Sequence, residues 1–269
     1  MILAFDIGNT EIVMGLFDGD ELLDHWRIAT QPERTVDEFG LLVRALIRES
    51  GFDADGIRAG VIGSVVPFMT AVAVETVERH LGARAVNITA STPLPIRLDV
   101  DEPLSVGADR IVNTLAAAQL FRRDTIVVDL GTATTFDCIT GDGVFIGGII
   151  APGVRTGAET LVRRTAKLPR VDLLPPGSVI GRRTEASLRS GIFYGAVDSI
   201  DGLVRRIRTE WRRPDALVVA TGGLATMLAP HCQTVGRVEP FITLVGLRLA
   251  LEAVEAAEAA QKKHSPRRR

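Results

Sequence analysis

Two segments of the chain repeat one pattern 123 residues apart, and this repeat constrains the fold more than any other feature of the sequence. The first reads Ile-Leu-Ala-Phe-Asp-Ile-Gly-Asn-Thr and contains Asp6. The second reads Thr-Ile-Val-Val-Asp-Leu-Gly-Thr-Ala-Thr and contains Asp129. Each is an apolar run, typical of a buried strand, that ends in an Asp-x-Gly turn with small polar residues. Because the offset is close to half of the 269 residues, the pattern predicts a duplicated α/β unit.

The hydrophobic periodicity around each copy predicts a mixed sheet with helical crossovers. Thr35 is the expected N-cap of the first helix, and the prolines of residues 90–103 indicate an irregular linker. Besides the repeated strands themselves, the expected strands are 12–17, 21–28, 59–65, 84–88, 135–139, 144–151 and 216–220. The expected helices begin near Val36 and at Pro67, the latter ending at Leu81, and continue with 108–121, 154–165, 185–211 and 243–260.

These elements predict two similar α/β domains with a cleft between them. We place the first domain at residues 1–113 and the second at residues 114–260, so that the C-terminal helix belongs to the second domain. Residues 261–269 are rich in lysine and arginine, and we expect a solvated, disordered tail there.

The composition excludes several classes of function. Thirty-one basic residues nearly balance 33 acidic ones, which argues against a nucleic-acid-binding protein with a broad basic face. The chain has no uninterrupted apolar run of the roughly 18 residues that would indicate a membrane span. Its N-terminus has no signal-peptide pattern, so we expect a cytoplasmic protein without a membrane partner.

The cysteines and histidines do not form a metal-binding pattern. Cys138 and Cys232 provide neither a disulfide framework nor zinc-ligand spacing, so we expect both to be reduced thiols of the core. No histidine is assigned a catalytic role, because the four are scattered along the chain. They are His25, His80, His231 and His264.

The turn after each repeated strand has the chemistry of a phosphate site. Gly8 permits close backbone approach, so that successive N–H groups and the side chains of Asn9 and Thr10 can converge on one anion. Asp6 beside that anion requires a divalent cation between the two negative groups. An ordinary hairpin explains the Gly-Asn pair alone equally well. The second copy, with Thr132 in its turn, favours two turns that bind one polyphosphate.

A third glycine-rich turn, Thr221-Gly222-Gly223, follows the expected strand 216–220. Its glycines would let the backbone approach the sugar or base of a nucleotide. A helix cap or a packing role explains the same residues without a ligand. The sequence alone leaves both interpretations open.

Taken in order, these three turns resemble those of the acetate and sugar kinase/Hsp70/actin superfamily. Within it, Val106-Gly107-Ala108-Asp109-Arg110 resembles the signature of type III pantothenate kinases. Further matches are Ser64-Val65-Val66-Pro67, the glycine-rich segment 147–153, and Thr184 ahead of Ser190-Gly191. The resemblance implies two duplicated actin-like (ribonuclease H-like) domains with mixed sheets and flanking helices. It also implies ATP-dependent phosphorylation of pantothenate to 4'-phosphopantothenate, the first step of coenzyme A biosynthesis.

The resemblance also implies roles for individual residues. Asp109 would accept the proton of the primary hydroxyl, Asp129 would hold a monovalent cation such as potassium or ammonium, and Asp6 would lie near magnesium, directly or through water. Thr184 would contact pantothenate across a homodimer interface, for which the helix from Glu185 is the candidate. The expected ATP-binding residues are Asp6, Ile7, Gly8, Asn9, Thr10, Glu11, Ile12, Val13 and Thr132. The expected pantothenate-binding residues are Val100, Gly107, Ala108, Asp109, Arg110 and Thr184.

The chain departs from the family pattern at a few positions, which leaves other functions open. Val100 stands seven residues before Gly107, where many members carry tyrosine, and Glu102 stands where asparagine is usual. Glu11 also differs from the residues often found there. One alternative is a kinase of the same fold that acts on a sugar or a short carboxylate. Another is a non-catalytic nucleotide-binding regulator.

Overall fold

The structure, a computed structural model, describes residues 1–264. The strands are β1 (Ile2–Ile7), β2 (Glu11–Asp18), β3 (Glu21–Ala29), β4 (Ala59–Ser64), β5 (Arg84–Ile88), β6 (Arg97–Leu98), β7 (Thr125–Leu130), β8 (Ala133–Ile139), β9 (Val144–Pro152), β10 (Leu217–Thr221) and β11 (Arg237–Val238). The helices are α1 (Val36–Glu49), α2 (Pro67–His80), α3 (Ala108–Phe121), α4 (Val154–Arg164), α5 (Thr184–Trp211), α6 (Ala225–Leu228) and α7 (Ile242–His264).

Two compact units divide the chain. Unit 1 contains Met1–Ala116 together with the C-terminal segment from Ile242 onward, and unit 2 contains Ala117–Phe241. The first boundary lies close to the predicted one after residue 113. The second differs from the prediction, because α7 belongs to unit 1 rather than to unit 2.

Helix α7 packs with unit 1 because its apolar face contacts β1, β2 and β4. At Gly246 it lies directly on the backbone of α3, since a Cβ there would be 2.2 Å from the carbonyl oxygen of Val112. Beside this contact the buried Thr243 hydroxyl donates a hydrogen bond of 2.9 Å to Asn113 Oδ1. The helix continues to His264, so residues 261–264 of the predicted tail are helical. The rest of that tail, residues 265–269, lies outside the described part of the chain.

Each unit contains a sheet of the same topology. In unit 1 the strand order is β3-β2-β1-β4-β5, with β1 antiparallel to β2 and parallel to β4. Within unit 2 the order is β9-β8-β7-β10-β11, with β7 antiparallel to β8 and parallel to β10. β1 and β7 also share one burial pattern, in which only the aspartate, Asp6 or Asp129, is half-exposed. The predicted duplication and the mixed α/β fold class of actin-like domains are therefore confirmed.

Local sequence signals fix where the first helices begin. The Thr35 hydroxyl accepts a hydrogen bond from the Glu38 N–H, and the Glu38 carboxylate accepts one from the Thr35 N–H at 2.9 Å, which confirms Thr35 as the N-cap. These hydrogen bonds from Thr35 also lower the pKa of Glu38. One turn later Phe39 packs against Phe5 of β1, with ring centroids 6.1 Å apart. The capped helix thus covers the strand that carries Asp6.

The core of unit 2 lies between its sheet and α5. Phe193, Val197 and Val204 of α5 pack against Val128 and Phe136 of the sheet. Cys138 is buried in this core and Cys232 is half-buried against it, and neither forms a disulfide. None of the helices in residues 1–264 is both long enough and apolar enough to span a membrane.

Candidate active site

The turn between β1 and β2 contains most of the predicted phosphate-binding residues. It is closed by the Gly8 N–H, which donates to the Glu11 carbonyl at 3.0 Å. Thr30 holds two carbonyl oxygens of this turn: its hydroxyl donates to Gly8 at 2.7 Å and its N–H donates to Thr10 at 2.9 Å. Carbonyl oxygens would repel a phosphate, and here they are already engaged. The exposed side chains at the tip are Asn9 and Thr10.

The other predicted ATP-binding positions of this hairpin differ in exposure. Ile7 and Ile12 are buried in the core, so only their backbone belongs to the turn. Glu11 forms an ion pair of 2.6 Å with Arg27 of β3. Arg27 thereby offsets a negative charge that would otherwise lie beside a bound polyphosphate. Val13 pairs with Asp6 across the hairpin.

Asp109 lies in the first turn of α3, where a negative charge is favoured by the helix dipole. Its Oδ1 accepts a hydrogen bond of 2.9 Å from the Arg110 N–H. The carboxylate is folded back over Gly107, since a Cβ on residue 107 would be only 2.4 Å from Asp109 Oδ1. Glycine at position 107 is therefore required for this orientation of Asp109. Ala108 is buried beneath the same turn.

Asp6 and Asp109 lie at the same edge of the unit 1 sheet. Asp6 pairs with Gly63 in the parallel ladder of β1 and β4, and the Cβ position of Gly63 is 3.7 Å from the Cβ of Ala108. Just beyond this pair, the Val65 N–H donates to the Ile7 carbonyl at 3.1 Å. The first turn of α3 is thereby held against the carboxyl ends of two parallel strands, the position where open α/β sheets bind ligands.

The second repeated turn follows β7 in unit 2. Its Gly131 N–H donates to the Ala133 carbonyl at 3.0 Å, and Thr132 is exposed. The Thr156 hydroxyl of α4 donates to the Thr132 carbonyl at 2.8 Å. Gly153, at the start of α4, lies flat on the same turn, because a Cβ there would be 2.1 Å from the Thr132 carbonyl oxygen.

Gly222 contacts Asp129, a relationship that the sequence motifs do not reveal. Asp129 pairs with Thr221 in the parallel ladder of β7 and β10. The chain then turns at Gly222 with φ of +86°, and a Cβ on this residue would be 2.4 Å from Asp129 Oδ1 and 2.7 Å from the Leu130 nitrogen. The turn that the sequence associates with the nucleotide therefore crosses directly over the predicted cation-binding carboxylate.

Val100 and Thr184 are not joined to Asp109 by these contacts. Val100 is half-buried in the irregular segment after β6. Thr184 is the exposed first residue of α5 and belongs to unit 2, whereas Asp109 belongs to unit 1. Arg110 is half-buried, and its carbonyl accepts a hydrogen bond of 2.8 Å from the Thr114 hydroxyl.

The chemistry of the described residues disfavours Cys232 as a thiolate nucleophile and a metal cage made of histidine, cysteine and carboxylate side chains alone. Burial, followed by the negative charges of Asp201 and Asp198, raises the pKa of Cys232 to about 12. Within residues 1–264 no three histidine, cysteine, aspartate or glutamate side chains are grouped so that they could hold a metal ion by themselves.

Known proteins of similar sequence share one description. A family model described as type III pantothenate kinase matches residues 2–206. A type III pantothenate kinase of Moorella thermoacetica is 44% identical over 254 residues, which cover 94% of this chain and 99% of that protein. One from Geobacter sulfurreducens is 42% identical over 252 residues, which cover 94% and 98% of the two chains.

Solved structures with little sequence identity share the fold. A conserved protein of Campylobacter jejuni, named for the Baf family of transcriptional activators, superposes with a TM-score of 0.59 at 17% identity, covering 95% of this chain and 99% of that one. The ethanolamine utilization protein EutJ of Carboxydothermus hydrogenoformans gives 0.52 at 16% identity, covering 92% and 88%. At such identities the likeness shows the fold alone.

Proposed function

The chain belongs to the type III pantothenate kinase family, and from this premise we infer that it transfers the γ-phosphoryl group of ATP to the primary hydroxyl of pantothenate. The products are 4'-phosphopantothenate and ADP, so the reaction begins coenzyme A biosynthesis. The observation that carries this function is that Asp6 and Asp109 lie at the same edge of the unit 1 sheet. Phosphoryl transfer needs an anion-binding turn and a group that orients the acceptor hydroxyl at one place.

Asp109 is the catalytic residue of this proposal. It orients the primary hydroxyl and accepts its proton while the oxygen–phosphorus bond to the acceptor forms and the bond to the ADP oxygen breaks. Its fixed orientation over Gly107 supports this role, because a general base must be held within hydrogen-bond reach of the hydroxyl. Arg110, one residue on, pairs with the pantothenate carboxylate.

Residues 6–13 and Thr132 bind the ATP phosphates. Two structural details support this assignment. The carbonyl oxygens of Gly8 and Thr10 are bonded to Thr30, and the carbonyl oxygen of Thr132 is bonded to Thr156. In both turns, carbonyl oxygens that would repel a polyphosphate therefore already accept a hydrogen bond from a threonine.

A kinase of this family uses ATP with a divalent metal ion, for which we propose Mg²⁺ near Asp6. The donor set fits, since Mg²⁺ in such enzymes takes one or two carboxylates and completes its shell with phosphate oxygens and water. For Asp129 we propose a monovalent cation, potassium or ammonium, as the family resemblance implies, and the close backbone of Gly222 leaves room for no side chain on that side of the carboxylate. Bound there, the cations would neutralise phosphate charge.

A homodimer through α4 and α5 completes the proposal, with Thr184 contributing to the pantothenate site across the interface. Three glycines of α5, Gly191, Gly195 and Gly202, have no described atom from outside the adjacent helix backbone within 4 Å of their Cβ positions, so another backbone could approach closely. The apolar side chains of Ile150 and Leu161 are exposed in the same unit. A cavity of about 330 Å³ between α4 and α5 further supports an uncovered apolar face.

The departures from the family pattern affect substrate affinity in this proposal. Val100 lacks the aromatic ring that many members have at this position, so we expect weaker binding of pantothenate than in those members. A cytoplasmic location, where ATP is made and used, belongs to the proposal. Nucleic acids and membranes have no part in it.

The test is ADP release by the purified protein with ATP, Mg²⁺ and potassium, with and without pantothenate. We expect pantothenate-dependent release, with one phosphopantothenate detected by mass spectrometry for each ADP. A folded protein that binds ATP and responds only to a sugar or a short carboxylate would support a different kinase. A protein that binds ATP and responds to no acceptor would support a regulator.

A further inference from the structure

The segment Ser64-Val65-Val66-Pro67 turns β4 into α2 and leaves an apolar side chain exposed at the turn. The Ser64 hydroxyl accepts a hydrogen bond from the Val66 N–H and donates one to the Val66 carbonyl, both at 3.1 Å. Pro67 then begins α2. Between these fixed points the Val65 N–H is bonded to Ile7 of β1, and the side chain of Val65 remains 37% exposed.

Val65 is an apolar neighbour of the Asp109 carboxylate. The Cβ position of Gly107 is 3.3 Å from Val65 Cγ1 and 2.4 Å from Asp109 Oδ1. The valine methyl and the carboxylate oxygen are therefore no more than about 6 Å apart. A ligand whose hydroxyl is held by Asp109 would bring the groups next to that hydroxyl close to this methyl.

Two further apolar side chains are exposed on the segments that lead to this point. Phe68, in the first turn of α2, is 53% exposed, and Leu104, three residues before Gly107, is 77% exposed. Single exposed hydrophobic residues are normal on protein surfaces. Phe68 follows Val65 by three residues and Leu104 precedes Gly107 by three, so both add apolar side chains to the segments that lead to Asp109.

We propose that Val65 is a specificity-determining residue that packs against the two methyl groups on the carbon next to the reacting hydroxyl of pantothenate. This inference rests on the proposed function. The reacting hydroxyl of pantothenate is on a methylene group attached to a quaternary carbon with two methyls. A sugar would instead place hydroxyl groups against Val65, where they would lose hydrogen bonds to water without finding a partner.

The test compares pantothenate with an analogue that lacks only the two methyl groups. Val65→Thr keeps the β-branched shape and replaces one methyl by a hydroxyl. We expect kcat/KM for pantothenate to fall about tenfold, as is typical for one methyl-sized contact in an apolar pocket. For the analogue kcat/KM should stay nearly unchanged, and so should the KM for ATP. Val65→Ala, measured in parallel, should show the same loss of preference.

Leu41→Thr is the matched control, because Leu41 of α1 is 68% exposed in the same unit. It should leave the preference for pantothenate unchanged. Equal losses for both acceptors in the Val65 variants, or no loss for either, would overturn the inference. Wild-type protein without pantothenate-dependent turnover would overturn the proposed function itself, and the inference with it.

Discussion

In unit 1 the chain leaves the fourth strand of its sheet through Ser64 and Val65 and enters α2, a helix of 14 residues. In unit 2 it leaves the equivalent strand, β10, through Gly222 and Gly223, and the following helix, α6, has only four residues. Both exits lie beside the aspartate of the central strand, Asp6 or Asp129. The unit 1 exit exposes the side chain of Val65, whereas the unit 2 exit consists of two glycines and offers only backbone. In the proposed function, the same corner of a duplicated sheet serves the acceptor in unit 1 and a nucleotide or cation in unit 2.

A hydrogen bond from a threonine outside the repeated segment holds each of the two turns. In unit 1 a threonine that follows the third strand, Thr30, holds the Gly8 carbonyl. In unit 2 a threonine that follows the third strand, Thr156, holds the Thr132 carbonyl. In each unit a threonine hydroxyl therefore holds one carbonyl of the turn, although the two carbonyls are not equivalent in the repeat, since Thr132 aligns with Asn9.

The largest effect should come from the acceptor corner of unit 1. Asp109→Asn removes the proton acceptor while keeping the size of the side chain, so we expect kcat to fall about 10²- to 10⁴-fold. The KM for ATP should change little, because the phosphate turns are untouched. Steady-state ADP release with varied ATP and pantothenate measures both values. An unchanged kcat would remove Asp109 from the mechanism.

Substitution of Gly222 should mainly reduce stability, whereas substitution of Gly107 should mainly reduce activity. Gly222→Ala places a Cβ against both Asp129 and the Leu130 backbone at positive φ, so we expect the free energy of unfolding to fall by about 2 to 4 kcal/mol. Gly107→Ala meets only side chains, Asp109 Oδ1 and Val65 Cγ1, and should lower kcat more than stability. Urea unfolding and ADP release measure the two effects.

Gly177→Ala is the control for this pair, since no described atom lies within 4 Å of its Cβ position. It should change the free energy of unfolding by no more than about 1 kcal/mol. Equal stability losses in Gly222→Ala and Gly177→Ala would show that the turn over Asp129 is not closely packed.

The sequence predicts the repeated strands well because their signals are local. A continuous apolar run followed by Asp-x-Gly defines β1 and β7, and the capping box at Thr35 defines the start of α1. The partner of α7 could not be predicted, since an apolar helix face does not specify its neighbour. That choice depends on Gly246, which lets α7 reach the backbone of Val112.

The site residues were predictable as types but not as contacts. The motifs identify Asp6, Asp109 and Asp129, each of which is two residues from a glycine. The register that pairs Asp6 with Gly63 and brings Val65 to Gly107 joins segments about 40 residues apart or more, and local periodicity cannot fix such pairings. The contact of Gly222 with Asp129 depends on the same kind of long-range pairing.

A smaller effect on stability is expected in the segment that precedes the fifth strand of each sheet, which the two units hold in place differently. Unit 1 uses Gly82 at φ of +59°, whereas unit 2 uses the buried carboxylate of Asp201. Burial alone would raise the pKa of Asp201, but hydrogen bonds from the Thr234 hydroxyl and the Gln233 and Thr234 N–H groups bring it below its usual value. The charged form is therefore the one that stabilises the fold.

Asp201→Asn should lower the free energy of unfolding by about 1 to 3 kcal/mol at neutral pH. Because the folded-state pKa is lowered, this contribution is fully present above the unfolded pKa of about 4 and is lost as the pH falls through the folded-state value. The difference from wild type should therefore narrow in acid, as measured by urea unfolding at several pH values. Asp198→Asn, at an exposed position of α5, is the control and should show little difference at any pH. A gap that widens in acid would contradict the assignment.

The proposed roles of Asp109 at the acceptor and Asp129 at the monovalent cation are tested most directly by the potassium dependence of pantothenate-stimulated ADP release. The test variant is Asp129→Asn, and Asp109→Asn is the comparison. We predict that Asp129→Asn loses potassium activation and keeps its KM for pantothenate. Asp109→Asn should have a low rate at every potassium concentration, with the same half-activating concentration as wild type. Potassium activation that survives in Asp129→Asn and is lost in Asp109→Asn would contradict the account.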